Sequence, residues 1–251
     1  GADRAPLDTG RMRARLHEAI ADDARALPAR APAGRSHDLA ATRAALAGAS
    51  RRLEWTYEVP FLAHAALEPL NATARVTAAE ARVWAPTQHP DGTRDAIAKA
   101  AGLPRERCHL QVTYLGGGFG RKWETDFVRQ AVEIARQRPG TPVQLTWSRE
   151  QDFRHDRFRP AHASRSMVGL DAAGRILGWH ARITGISMWR YQRRPPMPGI
   201  GDPFITGGLI PDAYSVAAPY ADFVEVPEPV PVGTWRSVAL SMNGFFGEST
   251  V

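Results

Sequence analysis

The spacing of apolar positions divides the chain into short, well-separated elements. In RMRARLHEAIADDARAL the residues Met12, Leu16, Ile20 and Leu27 recur near the helical period, and DLAATRAALAGA repeats the pattern before Gly48. Residues 1–50 therefore read as a helical N-terminal segment, with PARAPAGRS, rich in Pro and Gly, as a linker inside it. RRLEWTYEVP switches to period two, with Leu53, Trp55 and Tyr57 on one face and Pro60 ending the strand. ATARVTAAEARVWAP predicts a hairpin of two strands. DGTRDAIAKAAGLP predicts a helix with Asp91 or Thr93 as its N-cap and Gly102 as its stop. HLQVTYL returns to a strand pattern, and beyond a run of glycines ETDFVRQAVEIARQR predicts a helix and PVQLTWS a strand.

This central alternation of strands and helices predicts helices packed on a sheet, an α+β fold whose strand directions the pattern leaves open. SRSMVGLDAAGRILGWHARITGIS is a better-defined hairpin, because DAAGR supplies turn residues between two apolar runs. Trp55, Trp84, Trp147 and Trp179 all fall in strand patterns and are expected in the core. Residues 189–212 are dense in Pro, Gly and Arg without periodicity; the part over 193–208 reads either as a lid at a substrate entrance or as an unsupported loop. The sequence finishes inside an apolar, helix-like run with no stop signal, so it reads as truncated at its C-terminus.

Composition narrows the functional classes. At 251 residues and 43% hydrophobic, the chain can bury one substantial core or two small ones without metal or disulfide staples. No apolar stretch approaches the roughly 18 residues of a membrane span, and no signal segment opens the chain. The compartment stays undecided between periplasm and cytoplasm. A net charge of +6 raises the question of nucleic acid, but all but two of the 32 basic residues are arginine, and they are scattered among acids. A clustered footprint is missing, so no nucleic-acid partner is expected. Cys108 is the only cysteine, so the chain can assemble neither a disulfide nor the thiolate cluster of an iron–sulfur centre.

The chemistry concentrates in VTYLGGGFGRKWETD. Three glycines between a strand and a helix let the backbone turn sharply and let a polar ligand approach main-chain amides. Arg121-Lys122-Trp123 lacks the ending of a phosphate loop. Glu124 and Asp126, placed in the first helical turn, would repel a phosphate on that helix end, so the ligand is expected on the loop itself. A tight structural turn is the competing reading. Nearby, His64 and Glu68 are spaced as a hydrogen-bonded pair on a helical turn, and no third ligand makes them a zinc site. Gln88, in WAPTQHP, can donate to an oxo group or cap a carbonyl. Arg236, in PVGTWRS, can bind a polarised oxygen or form a surface salt bridge.

Taken together, HAALEPLNATA, APTQ, GGGFGRK, WSREQDFRHDRFRP and VPVGTWRS resemble the molybdenum-binding subunit of the xanthine dehydrogenase and aldehyde oxidase family, especially isoquinoline 1-oxidoreductase beta subunits. The likeness runs from about residue 50 to the end, which implies that residues 51–251 are part of the molybdopterin-binding domain of a molybdenum hydroxylase. In that family the metal is held by the dithiolene of a pterin, commonly a cytosine dinucleotide, and by no protein side chain. The resemblance implies that Gly117, Gly118, Phe119 and Gly120 lie against the molybdenum centre with amides near its oxo ligands. It also implies that Gln88 hydrogen-bonds an oxygen of the metal or pterin, and that Arg236 stabilises negative charge developing on the substrate. The implied reaction oxidises an aldehyde or an electron-poor heteroaromatic carbon with water as the oxygen source. Its implied partners are a small iron–sulfur subunit and a further C-terminal part of the same subunit.

Two departures limit the transfer. Some relatives place a glutamate directly after the Gly-Lys of the loop, where this chain has Trp123 with Glu124 following, and the family's general base belongs to a C-terminal segment with no counterpart here. The competing class is a non-catalytic remnant or subunit-interaction domain on the same scaffold.

Overall fold

The computed structural model describes residues 7–31, 37–195 and 197–251, so most of the PARAPAGRS linker and Pro196 lie outside the described residues. In chain order the elements are α1 (Thr9–Ala19), β1 (Leu27–Pro28), α2 (Leu39–Ala47), β2 (Arg51–Val59), β3 (Asn71–Val76), β4 (Ala81–Ala85), α3 (Pro90–Ala101), β5 (Cys108–Val112), α4 (Asp126–Arg136), β6 (Val143–Thr146), α5 (Arg149–Arg154), β7 (His162–Leu170), β8 (Ile176–Gly185), α6 (Met188–Tyr191), α7 (Pro203–Thr206), β9 (Ala218–Glu225) and α8 (Leu240–Glu248). They form two compact units. One comprises residues 1–62, 160–230 and 237–251, the other residues 63–159 and 231–236.

The first unit is built on a five-stranded sheet in the order β1-β9-β8-β7-β2. β7 and β8 form the expected hairpin, while β8 and β9 run parallel, so the sheet is mixed. α2 approaches this sheet closely because Gly169 and Gly178 face it; a Cβ on either would come within 3.0 Å of an alanine Cβ of the α2 region. Leu16, Ala19 and Ile20 of the N-terminal helix region pack with Ala163 and Val224. The helical pattern predicted to Leu27 stops at Ala19, because the Asp22 side chain accepts the Arg25 N–H and turns the chain; Leu27 instead pairs with Phe223 and stays 40% exposed.

The second unit carries a four-stranded sheet, β5-β4-β3-β6, antiparallel except for the β4–β5 pair. Strict alternation in β3 and β4 turns Ala72, Ala74, Val76, Ala81, Val83 and Ala85 inward. α4 covers that face with Phe127, Val128, Ala131, Val132 and Ala135, spaced along one helical stripe and fully buried. Each of its larger side chains contributes about 1.5–3 kcal/mol relative to exposure.

Several expectations are corrected here. Neither Asp91 nor Thr93 caps α3: His89 is the N-cap residue and Pro90 opens the helix, while Thr93 is buried and bonded to Thr87 at 2.8 Å. Gly102 does stop the helix, at φ 69°. β5 ends at Val112, short of Leu115, and α4 starts at Asp126 because a 3-10 turn over Arg121–Trp123 comes first. Trp147 and Trp179 are core residues, but Trp55, on the inward side of β2, is only half-buried, and Trp84, on the outward side of β4, is 38% exposed. Cys108 is fully buried, and burial pushes its thiol up. We therefore expect a maleimide to label Cys108 only after denaturant is added; rapid native labelling would show that the β5 edge opens.

Candidate functional site

The glycine loop lies wholly in the second unit and is held at both ends. At its start, Glu68 N–H donates to Gly116 O (3.0 Å) and the Glu68 carboxylate accepts Gly116 N–H (2.9 Å), so both main-chain groups of Gly116 are tied to one residue. The same carboxylate oxygen accepts from the ammonium of Lys122, which is fully buried, and the other accepts from Asn71. Burial works against the charged form of Glu68, but Lys122, Gly116 N–H and Asn71 outweigh it and hold the carboxyl below its usual range. At the loop's end, Gly120 N–H donates to Gln88 Oε1 (3.0 Å), and Gln88 N–H donates to Lys122 O (2.9 Å).

Between these anchors the loop keeps its donors free. The main-chain N–H groups of Gly117, Gly118 and Phe119 make no hydrogen bond among the described residues. Phe119 itself holds φ 53°, a left-handed conformation that a side-chain-bearing residue takes only when its surroundings fix it. Gly120 N–H can face only an oxygen, so it orients the Gln88 amide and leaves the NH2 end pointing away as a donor on an exposed side chain. Arg236 N–H donates to Phe119 O (2.8 Å), which brings the 231–236 segment onto the loop; its guanidinium is exposed and makes no hydrogen bond or ion pair among the described residues.

Gln88, Gly117, Gly118, Phe119, Gly120 and Arg236 are thus brought together. What they offer is three consecutive main-chain N–H groups, an amide NH2 and a guanidinium, all hydrogen-bond donors. That set fits a ligand rich in oxo and anionic oxygens. None of these groups is a metal ligand, and among the described residues no cluster of three or more His, Cys, Asp or Glu could hold a metal. A molybdenum carried by a pterin and approached only by protein donors suits this chemistry. Among the described residues no helix is long and apolar enough to cross a membrane.

Sequence spacing missed the buried network behind the loop. His64 and Glu68 do not share a helical turn: the segment is irregular, and each has another partner. His64 Nδ1 lies 3.0 Å from Asp156 Oδ1 and Nε2 lies 2.9 Å from Thr234 O, while His64 N–H donates to Asp156 Oδ2 (2.6 Å). Arg121, 1% exposed, forks onto Asp126 (3.0 and 2.8 Å); its Nε is 3.1 Å from Asp156 Oδ1, an ion-pair contact without hydrogen-bond alignment. Burial would raise the Asp156 carboxyl, but His64 and the N–H groups of His64 and Arg157 hold it low. Asp156 is delivered by α5, which starts on a capping box in which Ser148 and Gln151 each satisfy the other's main-chain N–H. Glu124 is half-buried, and burial together with Asp126 pushes its carboxyl up. Its members fall in three of the quoted stretches, His64 in HAALEPLNATA, Arg121 in GGGFGRK and Asp156 in WSREQDFRHDRFRP, but nothing in their spacing connects them.

Residues 30–201 match the molybdopterin cofactor-binding domain family. The beta subunit of isoquinoline 1-oxidoreductase from Brevundimonas diminuta is 29% identical over 198 residues, which is 74% of this chain and 24% of that protein. The molybdenum-binding subunit PaoC of an aldehyde oxidoreductase from Escherichia coli is 26% identical over 146 residues, 56% of this chain and 20% of that protein. The chain therefore spans a quarter or less of the length of these two relatives. The aldehyde oxidoreductase of Desulfovibrio desulfuricans shares the fold over 98% of this chain and 27% of its own, with TM-score 0.72 and 17% identity.

Proposed function

This chain belongs to the molybdopterin cofactor-binding domain family, and we propose that its glycine loop, Gln88 and Arg236 form the protein-donor side of a molybdopterin site in an aldehyde- or N-heteroaromatic-oxidising enzyme. The observation that carries the reading is the row of unpartnered N–H groups at Gly117, Gly118 and Phe119 beside the free amide NH2 of Gln88. The cofactor, proposed here in its cytosine dinucleotide form, supplies the two-electron redox chemistry with water as the oxygen source. The chain's own residues place and polarise. The loop amides and Gln88 donate to oxygens of the bound group, and the Arg236 guanidinium stabilises negative charge arising on the substrate. The site lies on a loop whose backbone is fixed at both ends, so little reorganisation accompanies the reaction. No carboxylate of this chain is assigned as general base. Its one cysteine, Cys108, cannot bind a cluster, so the proposal sends electrons to iron–sulfur centres outside these 251 residues, on a small partner subunit.

Molybdenum and cytosine-nucleotide content tests the proposal, measured on the complete subunit co-expressed with its iron–sulfur partner in a host that makes the cofactor. Near-stoichiometric content is expected; a folded complex holding neither would overturn the reading. Gln88→Glu separates the two ends of that side chain. A carboxylate can still accept Gly120 N–H, so folding stability should change by less than about 1 kcal/mol. It offers no donor and repels an anionic group, so molybdenum content should fall about tenfold, the factor that 1.4 kcal/mol supplies. Unchanged content would remove Gln88 from the site.

A further inference from the structure

In the first unit, the outer edge of β9 is closed by a side chain. β1 pairs with it only at Leu27 and Pro28, opposite Phe223 and Asp222, and just beyond them Ala29 N–H donates to Ala221 O (2.9 Å). The Ala221 N–H, on the same edge, donates to Nε2 of the His37 ring (3.1 Å). That bond fixes the chemistry of the ring: Nε2 accepts only while it carries no proton, so His37 is neutral, with its proton on Nδ1. The ring also stacks on Tyr220, with centroids 4.5 Å apart and planes at 29°, and Tyr220 meets His180 edge-on (5.4 Å, 67°). His37 immediately precedes Asp38, the N-cap of α2, whose carboxylate accepts Ala40 and Ala41 N–H (2.8 and 3.3 Å). One imidazole therefore ties the start of α2 to the edge of β9. It also lines a cavity of about 610 Å³ together with Arg30, Leu209, Ile210 and Asp212, so a released ring can move without displacing the core.

The titratable and charged groups around the ring are Tyr220 and Asp222 on β9, His180 and Arg182 on β8, Asp38 and Arg43 on α2, and Arg30 and Asp212 at the cavity. Asp222 is already engaged by the Arg182 fork (2.7 and 2.8 Å) and by His180 Nε2 (3.1 Å), and Arg43 pairs with Asp23 (3.0 Å). The Asp38 carboxylate serves the cap, and the N-terminal end of α2 adds partial positive charge. Burial, assisted by His180, outweighs Asp222 and holds the His37 imidazole below its usual range. We propose that His37 is a pH-operated latch: the neutral ring closes the edge of β9 and holds the start of α2 on it, and the protonated ring sets a donor against the Ala221 N–H and lets that corner open. The latch does not rest on the function proposed above. An unfolded imidazole titrates near about 6.5 and the folded ring lower, so the latch contributes fully above about pH 6.5 and is lost as pH falls from there towards the folded value.

The test is amide hydrogen exchange on the complete subunit, read by mass spectrometry at about pH 7.5 and about pH 5.5 and corrected for the intrinsic effect of pH on exchange. In wild type, protection over residues 38–47 and 218–225 should fall about threefold to tenfold at the lower pH, the range expected for one lost hydrogen bond, while α4 of the second unit keeps its protection. His37→Gln offers an amide oxygen that accepts the Ala221 N–H and does not titrate, so it should stay protected at both pH values. His37→Ala should show the low protection at both. No loss in wild type overturns the latch. An equal loss in wild type and His37→Gln also overturns it, and assigns the effect to another group, the His180–Asp222 pair first. If His37→Gln does not fold, or does not hold β9 at either pH, deuterium exchange at the imidazole C2 position decides, read peptide by peptide against pH in wild type. A His37 midpoint below about 6.5 supports the latch, and one at or above about 6.5 overturns it.

Discussion

Gly120→Ala is expected to cost about 3 kcal/mol or more of stability and to cut molybdenum retention below about a tenth of wild type, the factor that 1.4 kcal/mol of binding supplies. Gly120 holds φ 105°, which already excludes most side-chain-bearing residues. A Cβ there would also stand 1.8 Å from Thr234 O, 2.6 Å from Thr234 C and 3.1 Å from Trp235 Cα. All three atoms are main chain, so no rotamer change relieves the overlap, and either the loop or the 231–236 segment must move. Movement of the loop breaks the Gly120–Gln88 bond; movement of the segment breaks the Arg236–Phe119 bond. Gly102→Ala is the control: it has a similar φ of 69° but no atom within 4 Å of the new Cβ, so it should cost only about 1–2 kcal/mol and leave molybdenum content alone. Guanidinium unfolding midpoints and metal content of both variants decide the matter; equal effects would show that backbone strain and not the Thr234 contact governs the loop.

The fold was largely legible where period and burial coincide. Strict alternation in β3 and β4 and the single stripe of α4 each have one face to bury, so pattern alone located them. It failed where a local hydrogen bond overrides periodicity, as at Asp22, which turns the chain before Leu27. It failed again where an apolar residue lies on the outward side of a strand, as Trp84 does. The free main-chain donors of the loop were legible because glycines between a strand and a helix have a backbone consequence. The ionic network behind it was not, because Asp156 reaches His64 across 92 residues of sequence, and no spacing rule connects charges brought together by tertiary packing.

That network carries the other large expected effect. Asp156→Ala should destabilise the protein by about 3–5 kcal/mol, because it leaves buried His64 and Arg121 without their shared carboxylate. Asp156→Asn should not rescue it. Asp156 Oδ2 receives His64 N–H, and Oδ1 faces Arg157 N–H (2.7 Å) and His64 Nδ1, so whichever way an asparagine turns, its NH2 meets a donor. Removing one partner of the exposed Arg129–Glu133 pair, 3.9 Å apart on α4, should by comparison change stability by less than about 0.5 kcal/mol. The pH dependence has a definite sign. The folded-state carboxyl of Asp156 is held below its usual range, so its contribution is fully present above the unfolded value of about 3.9 and is lost as pH falls through the folded value. Wild-type stability should therefore rise more steeply with pH than that of Asp156→Ala below about pH 4, and the two profiles should run parallel well above it. The consequence reaches the site through one ring: His64 ties Asp156 to Thr234 O, and Thr234 O is the wall against which Gly120 packs. Loss of Asp156 should thus raise amide hydrogen exchange at residues 116–123 and lower molybdenum retention together. Faster exchange with full molybdenum retention would separate the network from the site.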